Sequence, residues 1–506
     1  MWLADLKNGN YRNPVLYADY SDPDAIRVGD DYFMISSSFC NAPALPVLHS
    51  KDLVNWKVVN YVLDKIPEFR YRNPIHGCGV WAPSIRYHEG TYYVCFPMPD
   101  EGIYMTTTKD PFGKWSKPVN IRPGAGWIDP CPFWDDDGKA YLVAGVAKSR
   151  IGYKSVLHMV EMQPDGMGLI GDEVKIFDGN ENDQVTIEGP KMYKRNGWYY
   201  IFAPAGGVKT GWQTVLRSKN VFGPYEYKVV MRQGDSPVNG PHQGAWVDTQ
   251  TGEDWFLHFQ DVYAGGRIVH LQPMHWENDW PVIGVNEVDG CGEPVLRYKK
   301  PEVGATYPID APEDSDFFEG ENLGLQWQWN ANYKKEWYDL ENGQLILHAQ
   351  AADPKTQLCD ISNLLLQKWP APEFSITTCL HLEQMKDGDV AGLVSLGGCY
   401  TALAVQKING KMSLQQRTGN WTKDDEVRTG LGEWNSDVIY IQMKVEKEIY
   451  RTFYVGTAEE NLQPVGQMVE ATPGRWVGVK DGLFAINEQG MEGGLVAADY
   501  FVYQEL

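Results

Sequence analysis

Five segments of the chain are written in one grammar. They are DPDAIRVGDDYFMI (22–35), APSIRYHEGTYYVCF (82–96), DPCPFWDDDGKAYLV (129–143), EGPKMYKRNGWYYIF (188–202) and HQGAWVDTQTGEDWFLHF (242–259). Each opens with a short lead, runs through an apolar strand, turns at a polar Gly- or Asp-rich tip, and returns in a strand rich in Tyr, Phe and Val. The tips GDD, HEG, DDG, RNG and TGE are β-hairpin signals. A second echo, HSKDLVNW (49–56), TTKDPFGKW (107–115) and RSKNVFGPYE (217–226), lies one hairpin downstream of three of the repeats. Each unit therefore holds about four strands in roughly 50 residues, the size of a propeller blade. Helical periodicity is almost absent. The spacing predicts an all-β fold with a five-bladed β-propeller over residues 1–300.

The same repeat says where chemistry should sit. The innermost strand of every blade starts at the central channel, so equivalent positions on five blades converge on one axis. The lead residues are Asp22, Ala82, Asp129, Glu188 and His242. A lone Asp before Pro is an ordinary turn residue. Three carboxylates brought to one axis are not ordinary, because like charges in a partly dehydrated pocket repel and raise one another's pKa. The pattern points to acid–base catalysis.

Composition narrows the substrate. The chain has 67 acidic against 45 basic residues, a formal net charge of −22. That surface repels phosphate backbones and argues against nucleic acid as a partner. A neutral substrate does not feel it, and 19 Trp and 28 Tyr offer flat faces on which sugar rings can stack. No stretch approaches the length of an apolar membrane span. The N-terminal MWLADLKNGN carries no apolar run of signal-peptide length. Cytoplasmic action, and periplasmic or secreted action after removal of a leader, both stay open. The eight cysteines are scattered, with no CxxC pair and no Cys/His cluster at zinc spacing, and read as small buried hydrophobes.

Past the last repeat, KKPEVGATYPIDAPEDSD (299–316) is rich in Pro and acid and reads as a boundary, with a linker at 301–316. The blade grammar then stops. Strands continue in clear alternation: GQLILHAQ (343–350), FSITTCLHL (374–382), VIYIQMKVE (438–446) and DYFVYQEL (499–506). They predict a β-sandwich of jelly-roll type over 317–506. Its tryptophans, Trp327, Trp329, Trp337, Trp369, Trp421, Trp434 and Trp476, are expected mostly in the core.

These residues bring a family into view. The whole chain resembles glycoside hydrolase family 43, in its β-xylosidase and α-L-arabinofuranosidase branch. The matching pieces are NPVLYADYSDPDAIRVGDDYFMISSSF (13–39), GVWAPSIRYHEGTYYV (79–94), WIDPCPFWDDDGKAYLV (127–143), IEGPKMYKRNGWYYIF (187–202) and GGRIVHLQP (265–273). The resemblance implies an exo-acting, inverting hydrolase that removes a terminal α-L-arabinofuranose or β-D-xylose from hemicellulose-derived chains. It implies Asp22 as general base, Asp129 as the carboxylate that orients and tunes the acid, Glu188 as general acid, and Arg267 in the sugar subsite. His242 resembles a channel histidine that contacts a hydrated metal ion or a water. Such an ion would be a structural calcium, and no cofactor is implied for the chemistry. Trp81 and Phe39 are candidate walls of the subsite. Many relatives have Ser after the DP pair, whereas Asp24 stands here. Strand alternation puts Asp22 and Asp24 on one side of the chain, but the repeat phase, shared with Asp129 and Glu188, favours Asp22. Asp24 is left to cap the strand or to bind a sugar hydroxyl. An endo-arabinanase or fructan-active relative, and a non-catalytic sugar-binding propeller, are the rival readings.

Inversion sets physical demands. A protonated acid and an ionised base must face one another across a gap of about 6.5–9.5 Å that holds one water. Glu188 must keep its proton near neutral pH, through repulsion from Asp129 and desolvation by aromatic walls. Asp22 must stay ionised and so needs donors beside it.

Overall fold

The computed structural model describes residues 2–423 and 425–506. Each sequence repeat forms the first two strands of a four-stranded antiparallel meander in chain order, and the fourth blade is extended at its outer edge by Cys291–Glu293, which pairs parallel, and Val285–Val288. The blades begin with Asp24–Val28, Ser84–His88, Trp127–Trp134, Lys191–Arg195 and His242–Asp248. They end with Trp56–Leu63, Val119–Pro123, Val174–Asp178, Glu226–Met231 and Trp280–Ile283. The tips do what their residues allow. In the RNG turn, Asn196 and Gly197 take φ of 50° and 69°, the left-handed pair that a two-residue hairpin needs.

Closure comes from the N-terminal segment. Leu16 bridges Val269 in the third strand of the last blade, and the Tyr11 hydroxyl donates to the Leu271 carbonyl at 2.8 Å. The Asn13 amide donates to the Leu271 and Val295 carbonyls, and its oxygen accepts from the Leu271 N–H. Segments from both ends of the propeller thus lie on one blade, so the ring has no free edge there.

The second domain is a sandwich of an eight-stranded and a seven-stranded sheet. The alternation read in VIYIQMKVE is real: along Val438–Glu446, buried and half-exposed residues alternate. Trp327, Trp329, Trp337 and Trp369 fill the core between the sheets. Residues 301–315 carry neither helix nor strand.

The sandwich is docked hard against the propeller. Ala42 and Trp329 exchange backbone hydrogen bonds, Val479 N–H donates to the Ala264 carbonyl, and Gly478 N–H donates to Asp19 Oδ2 at 2.9 Å. Lys480 reaches Asn41, and Asn332 exchanges two hydrogen bonds with the backbone of Ile66. This seam carries the residues around 474–478 to the mouth of the channel.

Candidate active site

The site is built by turns that break strand alternation. Asp22 and Asp129 take φ of 56° and 55°, the left-handed region that a short polar side chain tolerates. Each precedes a proline, whose ring fixes the entry into the strand. Alternation therefore does not extend back from Asp24 to Asp22, and the two carboxylates diverge. Asp24 is fully buried and turns to the second blade, where it accepts from Ile85 N–H at 2.8 Å and Arg86 Nη1 at 2.7 Å. It lines no sugar site. Asp22 faces the channel mouth. Its Oδ1 accepts from Arg267 at 2.9 Å and its Oδ2 from the Ser37 hydroxyl at 2.6 Å.

The shared phase of the lead residues needs correcting. In the fourth and fifth blades the left-handed residue is Gly189 (φ 60°) and Gln243 (φ 40°). Gly189 stands two residues before Lys191–Arg195, as Asp22 stands two before Asp24–Val28 and Asp129 two before Cys131, where regular pairing resumes after a bulge; Glu188 stands one residue earlier. That offset changes what Glu188 touches. Its Oε1 lies 2.9 Å from Nε2 of His242, the residue at the same early position on the next blade. Gly189 is required here twice over, by its φ and because a Cβ would meet the Gln243 side chain at 2.8 Å.

Asp129 ties the ring together. Its Oδ2 accepts from Gly189 N–H at 2.8 Å, so it grips the backbone directly beside Glu188. Burial first, then the charges of Glu188 and Asp22, push its carboxyl up to about 7. Glu188 is the most accessible of the three, its side chain 28% exposed against 7% for Asp22. Below them the channel is filled. Lys191 is fully buried and donates to the Pro83 carbonyl and the Ser84 hydroxyl, and Arg86 spans from Asp24 to Cys131.

A pocket of about 380 Å³ opens over these groups, near the small end of the range for ligand sites. Asp22, Asp129, Glu188, Arg267, Trp81 and Phe39 all line it. Gly79 allows the aromatic wall to form, since a Cβ there would stand 2.2 Å from the Phe39 carbonyl oxygen. His242 lies behind Glu188 and not at the pocket surface. One wall was not foreseen. Trp476, from the sandwich, packs edge-on against Trp81 with centroids 4.7 Å apart. Its segment, GRWVG, sets an aromatic between two glycines, a loop signal outside the blade repeat. Lys154, which donates to the Thr186 hydroxyl, and Gln243 complete the rim.

A carboxylate triad at the mouth of a five-bladed channel invites comparison with known enzymes, and the profile of glycosyl hydrolases family 43 matches residues 11–281. The chain belongs to glycoside hydrolase family 43. The β-xylosidase C-terminal concanavalin A-like domain matches residues 315–504. A Xylanibacter ruminicola relative is 38% identical over 486 residues, covering 95% of this chain and 87% of its own. The β-xylosidase of Formosa agariphila is 31% identical, over 99% of this chain and 91% of its own. Among solved structures, the xylan β-1,4-xylosidase from Bacillus halodurans superposes with a TM-score of 0.85 at 25% identity, over 98% of this chain and all of that one. The chain is thus a glycosidase of family 43, with propeller and sandwich together.

Asp129 gives this family 43 enzyme a measurable weakness. Its carboxyl titrates near 3.8 when unfolded and about 7 when folded. The folded state therefore binds the extra proton between these values, and stability falls as pH rises through that window. Above pH 7 the cost of ionised, buried Asp129 is fully felt. Asp129→Asn keeps an oxygen for Gly189 N–H and removes the charge. It should unfold at higher denaturant concentration than the parent at pH 8, with the gain vanishing towards pH 4, while hydrolysis is lost. Equal midpoints at pH 8 would show that ionised Asp129 costs nothing.

Proposed function

We propose that the enzyme removes single pentose units from the non-reducing ends of hemicellulose-derived oligosaccharides or side chains, with inversion. Asp22 is the general base, Glu188 the general acid, and Asp129 the group that positions and tunes Glu188. The observation that carries this reading is the pocket itself. Three carboxylates from three blades share one small cavity walled by Phe39, Trp81 and Trp476. A small pocket suits a chain end, whereas a mid-chain cut needs a long groove. Among the relatives are enzymes named β-xylosidase and a Bacteroides ovatus enzyme named non-reducing end α-L-arabinofuranosidase, 30% identical over 423 residues, 78% of this chain and 75% of its own. Both sugars are pentoses, and the pocket is taken to accept one or both.

The division of labour follows from what each group touches. Asp22 has both oxygens held by donors, one of them the Arg267 guanidinium, with lone pairs left to take a proton from water. Glu188 is the most exposed of the three and lies against His242, where a leaving oxygen can reach it. Arg267, fixed over the Phe259 ring and by its backbone N–H to Asp19, orients Asp22 and offers its remaining N–H groups to the sugar.

The test is an activity panel on aryl β-D-xyloside and aryl α-L-arabinofuranoside, with the first-formed anomer read by proton NMR. Release of the monosaccharide with inverted configuration is expected. Retention would mean a covalent intermediate and remove Asp22 from the role of base. Absence of turnover on both glycosides would favour a sugar-binding propeller.

A structural calcium at His242 is proposed on the same footing. Beyond its bond to Glu188, His242 offers one nitrogen, Nδ1, buried and without a partner. It belongs to none of the convergent His/Cys/Asp/Glu groups among the described residues. A hard cation takes six to eight oxygens, so water would supply most of its shell. Exhaustive chelation should therefore leave hydrolysis intact, and loss of activity with the fold retained would overturn the structural role.

A further inference from the structure

Away from the carboxylates, a second group of reactive side chains meets across the domain seam. His76 lies on the connector between the first two blades. Cys359 and Asp360 lie in the short 3-10 turn Leu358–Asp360 of the sandwich. One ligand atom from each of the three falls within 4.8 Å of the others.

One feature of this trio is unexplained by the protein alone. His76 Nε2 is shut off from solvent and has no hydrogen-bond partner, a costly state for an imidazole nitrogen. The atom nearest in charge, Asp360 Oδ1, stands 3.7 Å away. That is too long for a hydrogen bond. It is close to the spacing of two ligands on one tetrahedral ion, since bonds of about 2.0–2.2 Å place their ends roughly 3.4 Å apart. Trp421 packs on the imidazole at 5.4 Å and limits its rotation. The Cys359 thiol is fully buried.

Two other convergent groups occur among the described residues, and neither has this defect. In Cys379, His381 and Asp499 the imidazole Nε2 already lies 3.0 Å from both Asp499 oxygens. In His275, Glu277 and Glu287 the side chains are exposed and His275 bonds Glu277 at 3.1 Å.

We propose that His76, Cys359 and Asp360 form a zinc site that joins the propeller to the sandwich, with a water in the fourth position. Thiolate, imidazole and carboxylate together suit Zn²⁺ or Co²⁺ and not the hard cations. Binding forms a sulfur–metal bond and releases the thiol proton to solvent. The site would brace the wall of the sugar pocket. A Cβ on Gly77, next to His76, would meet the Arg475 side chain at 2.7 Å, and Arg475 precedes Trp476. Four residues after His76, Val80 bridges Phe39.

The test uses the whole enzyme, stripped with chelator and titrated with Co²⁺. About one equivalent should bind, with a thiolate-to-cobalt charge-transfer band and the intense visible bands of a tetrahedral centre, both erased by Zn²⁺. Zn²⁺ should also raise the melting temperature of the stripped enzyme. Cys359→Ser should remove the charge-transfer band. Asp360→Ala, at an exposed position, should weaken binding about tenfold or more and carries the test if the cysteine variant does not fold. Hydrolysis of an aryl glycoside should be retained in both folded variants. Lack of a saturable cobalt band, or a band that survives in both variants and disappears in Cys379→Ser, would overturn the site.

Discussion

Asp22→Ala is expected to lose hydrolysis by roughly 10²- to 10⁴-fold, the usual worth of a positioned acid or base, on every substrate. An excellent leaving group should not rescue it, because attacking water still has to give up a proton whatever departs. Added azide should restore turnover, since it attacks without needing a base, and the product should be the inverted glycosyl azide. The neighbouring Asp24→Ala should behave differently. Asp24 has no exposed surface and holds the part-buried Arg86 at 2.7 Å. Removing it takes away the charged partner of Arg86, so the variant should be less stable than the parent. The folded fraction should still turn over and should gain nothing from azide. The assignment fails if Asp24→Ala is the inactive, azide-rescued variant and Asp22→Ala retains turnover.

Glu188→Ala should show the complementary pattern. Hydrolysis of natural linkages should fall by a similar 10²- to 10⁴-fold, because a sugar alkoxide is a poor leaving group without a proton. On a dinitrophenyl glycoside the loss should be far smaller, since the phenolate departs unaided. The basic limb of the pH–rate profile should flatten on that substrate, because the group whose protonation it reports is gone. His242→Ala gives a graded version. It leaves Glu188 in place but removes the contact at 2.9 Å, so it should shift the profile more than it lowers the maximum. An equal loss for Glu188→Ala on activated and natural substrates would remove Glu188 from the role of acid.

The propeller was legible because a blade is a local unit. Strand, tip and return strand lie within 20 residues, so their pattern repeats in the sequence as it repeats in space. The lead residues were legible for the same reason, up to one residue. The off-by-one of Glu188 was hidden because the left-handed position passes from Asp in DP to Gly in EGP, and hydrophobic periodicity carries no record of φ. The divergence of Asp22 and Asp24 was hidden by that same turn, since alternation holds only where the backbone stays extended. Trp476 and the group around His76 lay beyond reach for a different reason. Each joins segments distant in the chain, and only docking of the sandwich brings them together.

The wall formed by Trp476 has a consequence for how such an enzyme can diversify. The carboxylates, their donors and their floor all belong to the propeller, whereas one face of the sugar pocket is lent by a loop of another domain. Substitutions at Arg475, Trp476 and Val477 can reshape the entrance without touching any group that moves a proton, whereas Gly478 is held by its contact with Asp19. Selectivity can thus drift while the reaction is inherited unchanged, and grafting this loop between relatives offers a way to exchange pentose preference at constant chemistry.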